Sequence, residues 1–174
     1  IGTNMMMSAL IGGYLFYNGP NIWLCLVLVV LMATAVGFIN GTLISRLGLP
    51  PFIATLGMMM MTQGFGSIIT KVQTQRFPSG FDDAGAYKAI FYKTAGGLPS
   101  GIIFMMIFCY VALVLLNKAR LGRYTYAIGS HEEAIRLSGV NVKMWKTIVY
   151  TVCGFFCGIA GIVYAATYTT IIPG

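Results

Sequence analysis

The feature that most constrains this chain is a series of long apolar runs separated by polar stretches. One of them, from Ile22 to Ile44, carries no charged side chain and could cross the roughly 30 Å hydrocarbon core of a bilayer as a helix. Similar runs cover Phe52 to Thr70, Pro99 to Asn117 and Thr147 to Thr169, and Met5 to Tyr17 is the tail of another. With 57% hydrophobic and 9% charged residues, the chain is predicted to be an all-α polytopic membrane protein with about five spans.

The two ends of the sequence are typical of an internal segment of a longer polypeptide. The chain starts at Ile1 rather than at a start methionine, and it stops at Pro173 and Gly174 without a polar tail. We therefore expect residues 1–174 to form one partial transmembrane domain of a longer chain.

The charged residues lie between the apolar runs, and their distribution predicts the sidedness. The stretch from Lys118 to Lys146 holds six of the eleven Lys and Arg residues, so the positive-inside tendency places it in the cytoplasm. Parity then places the loop with Arg46 inside and the loop from Lys71 to Leu98 outside. Topology thus explains the net charge of +7 without a nucleic-acid surface. All four acids also avoid the spans, which argues against a proton relay or a charged-ligand site within the membrane.

Part of the predicted cytoplasmic stretch has the pattern of a short helix. Ser130 is a predicted N-cap with Glu133 at the third helical position, and Glu132 and Glu133 suit the positive end of the helix dipole. Gly139 is a natural stop, for which we expect a positive φ. A helix of about two turns follows, with a small apolar patch that suits a soluble partner. The alternative is a solvated loop that contains a single helical turn. The residues assigned to the partner contact are Ser130, Glu132, Glu133, Ala134, Leu137 and Gly139.

A second informative stretch begins with the two prolines Pro50 and Pro51, which start the third apolar run sharply at its cytoplasmic end. Hydroxyl and amide side chains and several glycines then interrupt the run. Such interruptions occur where a helix lines protein or a cavity, and discontinuous helices often border transport sites. The alternative is an ordinary glycine-rich packed helix.

Small residues and thiols inside the runs predict packing rather than chemistry. Gly37 and Gly41, and likewise Gly154 and Gly158, have the spacing of small residues that lets helices approach closely, although no specific dimer face follows. The four cysteines all lie in apolar runs, so we expect small apolar filler and neither a disulfide framework nor a metal site.

Two segments carry a resemblance to a known family. Ala127 to Val142 reads A-I-G-S-H-E-E-A-I-R-L-S-G-V-N-V and resembles the cytoplasmic coupling loop of bacterial ABC-transporter permeases for simple sugars, usually A-I-G-x-N-x-x-A-A-R-x-S-G-I-N-V. His131 stands where Asn is usual and Ile135 where Ala is usual, without effect on the helix or its stop. Phe38 to Met58 is similar to the same family through F-I-N-G-T-L-I and P-P-F-I-A-T-L-G-M.

The resemblance implies the transmembrane subunit of an ATP-binding cassette importer that moves a monosaccharide or similar polar solute across the bacterial inner membrane. It implies three partners: a cytoplasmic ATPase that binds ATP and Mg²⁺, an extracytoplasmic solute-binding protein and a second permease subunit. This chain itself would hold no cofactor or metal and would not be an enzyme. The pathway residues that the resemblance favours are Asn40, Phe52, Thr55, Thr62 and Gln63.

Two alternatives stay open at this point. A permease for branched-chain amino acids has a similar coupling loop, but apolar substrates would suit a pathway without Thr62 and Gln63. A channel or secondary transporter would need ion-coupling groups in its spans, and the runs of this sequence offer none.

Overall fold

A computed structural model describes residues 1–18, 22–71, 73, 75–76, 94–95, 98–167 and 170–171, and confirms the all-α class. Seven helices occur in these residues: α1 (Gly2–Asn18), α2 (Ile22–Arg46), α3 (Pro51–Ile69), α4 (Ser100–Asn117), α5 (Arg120–Ser130), α6 (Glu132–Leu137) and α7 (Val142–Thr167). Four two-residue strands form two antiparallel pairs: β1 (Gln75–Arg76) with β4 (Thr170–Ile171), and β2 (Thr94–Ala95) with β3 (Leu98–Pro99). Most of the predicted outer loop, and the turn that follows Asn18, lie outside the described residues.

The number of predicted spans is matched only approximately. Within the described residues, α2, α3 and α7 are each long and apolar enough to cross a membrane. A fourth span results if α4 and α5 are counted together, although the chain bends by 64° between them. The remaining apolar helix, α1, is 17 residues long. The described residues therefore contain three or four helices that qualify as spans by length and composition, where the sequence predicted about five.

The polar stretch predicted as a loop is largely helical. Leu121, Tyr124 and Ile128 recur on one side of α5 and are half-buried, whereas Arg123 and Tyr126 on the other side are exposed. This amphipathic spacing stabilises a helix despite its two glycines. Gly122 is buried at the bend between α4 and α5, where a Cβ would overlap the backbone of Leu116. The close approach at this elbow requires glycine.

The core of the bundle lies around α1, which packs against α2, α3 and α7. Met7, Leu10 and Ile11 of α1 are each at most 5% exposed. By contrast, much of α4 is exposed and apolar, with Met105, Met106 and Tyr110 each more than 60% exposed. Such a surface suits lipid or further membrane helices rather than water.

The largest helix contact in the described chain joins α2 to α7, and glycine makes it possible. A Cβ on Gly37 would lie 2.5 Å from the carbonyl oxygen of Tyr150, and one on Gly154 would lie 2.6 Å from that of Ala33. On Gly158 it would lie 2.9 Å from the Cα of Val30. The close packing predicted from the glycine spacing is confirmed, and the two motifs face each other within one chain.

Candidate solute pathway and docking helix

A cavity of about 360 Å³ lies between α1, α2, α3 and α7. Four of the five predicted pathway residues line it: Asn40, Phe52, Thr55 and Thr62. Asn40 lies about 9 Å from the Arg46 end of α2, and Thr62 about 16 Å from the start of α3, at the 1.5 Å rise per residue of a helix. The cavity therefore extends from the start of α3, at Phe52, into the apolar slab toward the depth at which transporters commonly hold their solutes.

Two side-chain amides give the cavity its polar character. Asn4 is 9% exposed, and its Nδ2 donates a hydrogen bond to the carbonyl oxygen of Ala33 at 3.3 Å. The Oδ1 atoms of Asn4 and of Asn40 are both buried without a hydrogen-bond partner in the described protein. Both residues line the cavity. Because a buried polar atom without a partner is costly, these two amides are the groups of the cavity wall most in need of a hydrogen-bond partner.

Two hydroxyl groups at the cavity, those of Thr55 and Thr62, donate their hydrogen atoms within α3. Thr55 Oγ1 donates to the carbonyl oxygen of Pro51 at 2.8 Å, and Thr62 Oγ1 donates to that of Met59 at 3.0 Å. A hydroxyl that donates within its own helix keeps only its lone pairs for other contacts. Thr55 and Thr62 therefore present acceptor lone pairs beside the amide groups of Asn4 and Asn40.

The pathway prediction differs from the cavity in two respects. Gln63 does not line the cavity; it follows Thr62 on an exposed face of α3. Asn4 lines the cavity but was not predicted, because the first apolar run was taken to begin at Met5. An amide so close to an apolar run was the available signal, since such a group needs a partner when the run is buried. Tyr150, Cys153 and Cys157 of α7 complete one wall and were also missed.

The thiols of this wall are part of an apolar lining. All four cysteines of the chain are free, and Cys157 is buried. Among the described residues, no three His, Cys, Asp or Glu side chains lie close enough to hold a metal ion. The wall therefore offers small polarizable side chains beside the acceptors of α1 and α2.

The docking helix, α6, carries most of the residues predicted to contact a soluble partner. Its predicted N-cap is wrong: Ser130 is the last residue of α5, and His131 occupies the N-cap without a side-chain hydrogen bond. The physical reason is that α5 continues to its natural end, where His131 N donates to the carbonyl oxygen of Ala127 at 3.1 Å. Ser130 thus lies at the junction of two helices rather than at the cap of one.

One ion pair fastens the docking helix to α7, and a contact between two aromatic rings fastens α5 to α7. Lys146 Nζ lies 2.7 Å from both carboxylate oxygens of Glu132, with the two side chains 31% and 53% exposed. The rings of Tyr124 and Trp145 lie 4.5 Å apart and connect α5 to α7. Glu133 instead pairs with Arg136 on its own helix at 3.5 Å, in an exposed position. Of the two acids, Glu132 therefore has the structural role.

The remaining docking residues face solvent. Ala134 is exposed, and Leu137 is 84% exposed. Gly139 follows with φ of +85°, which confirms the predicted left-handed stop. Leu137 is an exposed apolar side chain on a short helix that ends at the left-handed Gly139. Such exposure is typical of a surface that a partner covers.

Comparison with known proteins extends the resemblance. A family model described as branched-chain amino acid transport system / permease component matches residues 1–174. The ribose import permease protein RbsC of Escherichia coli K12 is 35% identical over 145 residues, which cover 82% of this chain and 44% of that protein. The fructose import permease protein FruF of Bifidobacterium longum is 30% identical over 173 residues, covering 96% and 47%.

A further relative is the D-allose transport system permease protein AlsC of Escherichia coli K12, which is 30% identical over 167 residues, covering 95% of this chain and 50% of that protein. The chain thus spans about half the length of the curated relatives that it matches. No solved structure matches it.

Proposed function

This chain belongs to the family of branched-chain amino acid transport system permease components, and from that membership we propose that it is part of the membrane subunit of an ATP-binding cassette importer for a monosaccharide or similar polar solute. Relatives named for the import of ribose, fructose and allose support the solute class. The observation that carries the proposal is the cavity in which two amide oxygens lack a partner.

The neutral polar groups of the cavity favour a solute that carries many hydroxyl groups. Asn4 and Asn40 each offer a free Oδ1, and the hydroxyls of Thr55 and Thr62 offer lone pairs. A sugar presents one hydroxyl donor on nearly every carbon, so it could satisfy these acceptors as water does. The ring of Phe52, which is 74% exposed at the edge of the cavity, could stack on the less polar face of such a ring.

A branched-chain amino acid is the second candidate, because the family description names that class. At neutral pH such a solute carries an ammonium and a carboxylate group, and burying either charge without a partner is costly. No described residue that lines the cavity is charged. The lining therefore suits a neutral polyhydroxylated solute better than a zwitterion.

Relatives that are named as import permeases support the proposed partners. We assign the exposed face of α6, with Ala134 and Leu137, to the contact with a separate ATPase subunit that binds ATP and Mg²⁺. A solute-binding protein would deliver the solute on the opposite side, and a second permease subunit would complete the pathway. We assign the chain to the bacterial inner membrane, with the ATPase on one side and the solute-binding protein on the other.

One helix links the docking surface to the cavity. Lys146 in the second turn of α7 holds Glu132 of the docking helix, and Tyr150 and Cys153 of the same helix line the cavity. From Lys146 to Cys153 is about 10 Å along the helix axis. A displacement of α6 by the ATPase would therefore move one wall of the cavity.

Uptake by the complete transporter tests the proposal. Cells that express the full permease with its ATPase and binding protein would be supplied with radiolabelled ribose, fructose or leucine. We expect uptake of a sugar and no uptake of leucine. Asn40→Leu should lower sugar uptake at least tenfold, because the acceptor is lost where the solute passes, and Gln63→Leu should have the smaller effect.

The matched control lies on the same helix. Thr42 follows Asn40 by two residues, does not line the cavity, and donates to the carbonyl oxygen of Ile39 at 2.7 Å. Thr42→Val should leave uptake within twofold of wild type. Uptake of leucine without uptake of sugar would show that the solute is an amino acid and not a monosaccharide. Normal sugar uptake by the Asn40→Leu variant would show that the cavity is not part of the pathway.

A further inference from the structure

A second, open groove of about 530 Å³ lies where α2 ends and α7 begins, on the surface of the bundle. Arg46, the last residue of α2, and Lys143, the second residue of α7, both line it and are exposed. The groove is separate from the candidate pathway, with which it shares no lining residue. It plays no part in the function proposed above.

The charge of the groove is uncompensated. No acidic side chain is among the described residues that line it. The nearest acids along the chain, Glu132 and Glu133, are paired with Lys146 and Arg136. The Asn141 Oδ1 is also engaged, since it accepts a hydrogen bond from the backbone N–H of Met144 at 3.1 Å. The groove therefore presents two cations that have no carboxylate partner there.

Both walls change from basic to apolar with depth. On α2, Phe38 lies about 12 Å from Arg46, and on α7, Val152 lies about 14 Å from Lys143, along their helix axes. Both apolar residues line the groove, and so does Ile148, which lies between Lys143 and Val152 along α7. Because α2 and α7 cross the membrane, the cations lie at head-group level and the apolar part lies in the hydrocarbon region.

We propose that this groove binds an anionic glycerophospholipid of the adjoining leaflet, with its phosphate between Arg46 and Lys143 and an acyl chain along Phe38 and Val152. A soluble anion would satisfy the cations but not the apolar depth. A second copy of this chain would bring the same two positive charges to the contact, and burying them without partners is costly. Basic pockets between membrane helices are known to favour anionic head groups.

Lipid binding to the purified full-length permease tests the proposal. Native mass spectrometry in detergent would compare phosphatidylglycerol with phosphatidylcholine of the same acyl chains, and with soluble glycerol phosphate. We expect selective retention of phosphatidylglycerol. The double variant Arg46→Gln, Lys143→Gln should lower its affinity by roughly thirtyfold, or roughly fivefold for each cation removed.

The control removes two cations elsewhere. Arg120 and Arg123 of α5 are exposed and outside the groove, so Arg120→Gln with Arg123→Gln should retain wild-type affinity. An acyl chain bearing a photoreactive diazirine should label α7 between Ile148 and Val152.

Three results would overturn the proposal: equal retention of the two lipids, unchanged affinity in the groove variant, or glycerol phosphate binding as tightly as the lipid. A photolabel found only on other helices, with Phe38→Cys cross-linking two copies, would assign the groove to self-association instead.

Discussion

The two faces of α2 illustrate opposite ways of packing a membrane helix. Toward α7, glycines bring the backbones so close that no side chain fits between them. Toward α1 and α3, the same helix borders a cavity that contains an amide oxygen without a partner. Gly37 contributes to both, since it touches the α7 backbone and also lines the cavity.

This difference separates a fixed contact from one that can change. In the absence of a hydrophobic driving force between helices in lipid, close backbone packing is a main source of association. We therefore expect the α2–α7 pair to move as one rigid unit, whereas the cavity side contains unsatisfied polar groups and empty volume. Under the proposed function, the movement that admits a solute is expected on the α1 and α3 side, and α7 would carry the displacement from the docking helix.

The largest expected effect comes from filling the tight side. Gly154→Leu would place a side chain against the carbonyl oxygen of Ala33, which already lies 2.6 Å from an added Cβ. Overpacking against backbone should lower the free energy of unfolding of the solubilised permease by about 3 kcal/mol. The measurement is the unfolding transition in a denaturing detergent, followed by circular dichroism.

The same substitution, glycine to alanine, can be compared at an open position and at a tightly packed one. Gly64 of α3 has no neighbouring atom within 4 Å of an added Cβ, so Gly64→Ala should stabilise the helix by about 1 kcal/mol through propensity alone. Gly154→Ala should have the opposite sign. Equal effects at the two glycines would contradict the rigid contact between α2 and α7.

The next effect concerns the connection from the docking helix to the rigid unit. Gly139→Val forces a β-branched residue into φ of +85°, at a cost of about 2 kcal/mol that the chain would relieve by redirecting α6. Ala134→Trp adds bulk at the exposed face. Both variants should insert normally but lose most co-purifying ATPase and solute-stimulated ATP hydrolysis. Retention of both at wild-type levels would reduce the segment to a connector.

A smaller effect of opposite sign is expected on the cavity side. Asn40→Leu removes an amide oxygen that has no partner, so it should raise the free energy of unfolding by about 1 kcal/mol while uptake falls. The same unfolding assay measures it. A stability loss instead would mean that Asn40 holds the fold together, and its effect on uptake would then be indirect.

The sequence predicted what depends on local pattern. The start of α3 follows from Pro51, and the left-handed stop at Gly139 follows from glycine's freedom at positive φ. The glycine spacing predicted close packing, but which helices meet depends on contacts between residues more than a hundred positions apart, such as Ser45 Oγ and Thr147 Oγ1 at 2.8 Å. No local pattern contains that information.

The errors in the candidate sites have the same origin. Ser130 was assigned to a cap because the capping box is a local rule, whereas α5 continues through Ser130 and the His131 N–H donates to the carbonyl oxygen of Ala127. Asn4 was missed because its significance arises only when α1 brings it to Ala33 and to the cavity. Composition thus predicted the fold class, an all-α membrane protein, whereas tertiary contacts determine which polar groups meet.

The smallest effect tests how firmly the docking helix is fastened to α7. Glu132→Gln weakens the ion pair with Lys146, which is partly exposed, so the free energy of unfolding should fall by only about 0.5 kcal/mol. Its consequence for coupling should be larger, because this contact positions α6 while the rest of the molecule stays intact. We expect solute-stimulated ATP hydrolysis to fall several-fold in this variant. High salt should lower the hydrolysis rate of the wild type toward that of the variant, because salt screens the ion pair. Glu133→Gln is the matched control, since its partner Arg136 lies on α6 itself and the pair fastens nothing to α7. Equal loss of coupling in the two variants would mean that the charge of the docking surface matters, and that its attachment to the rigid unit does not.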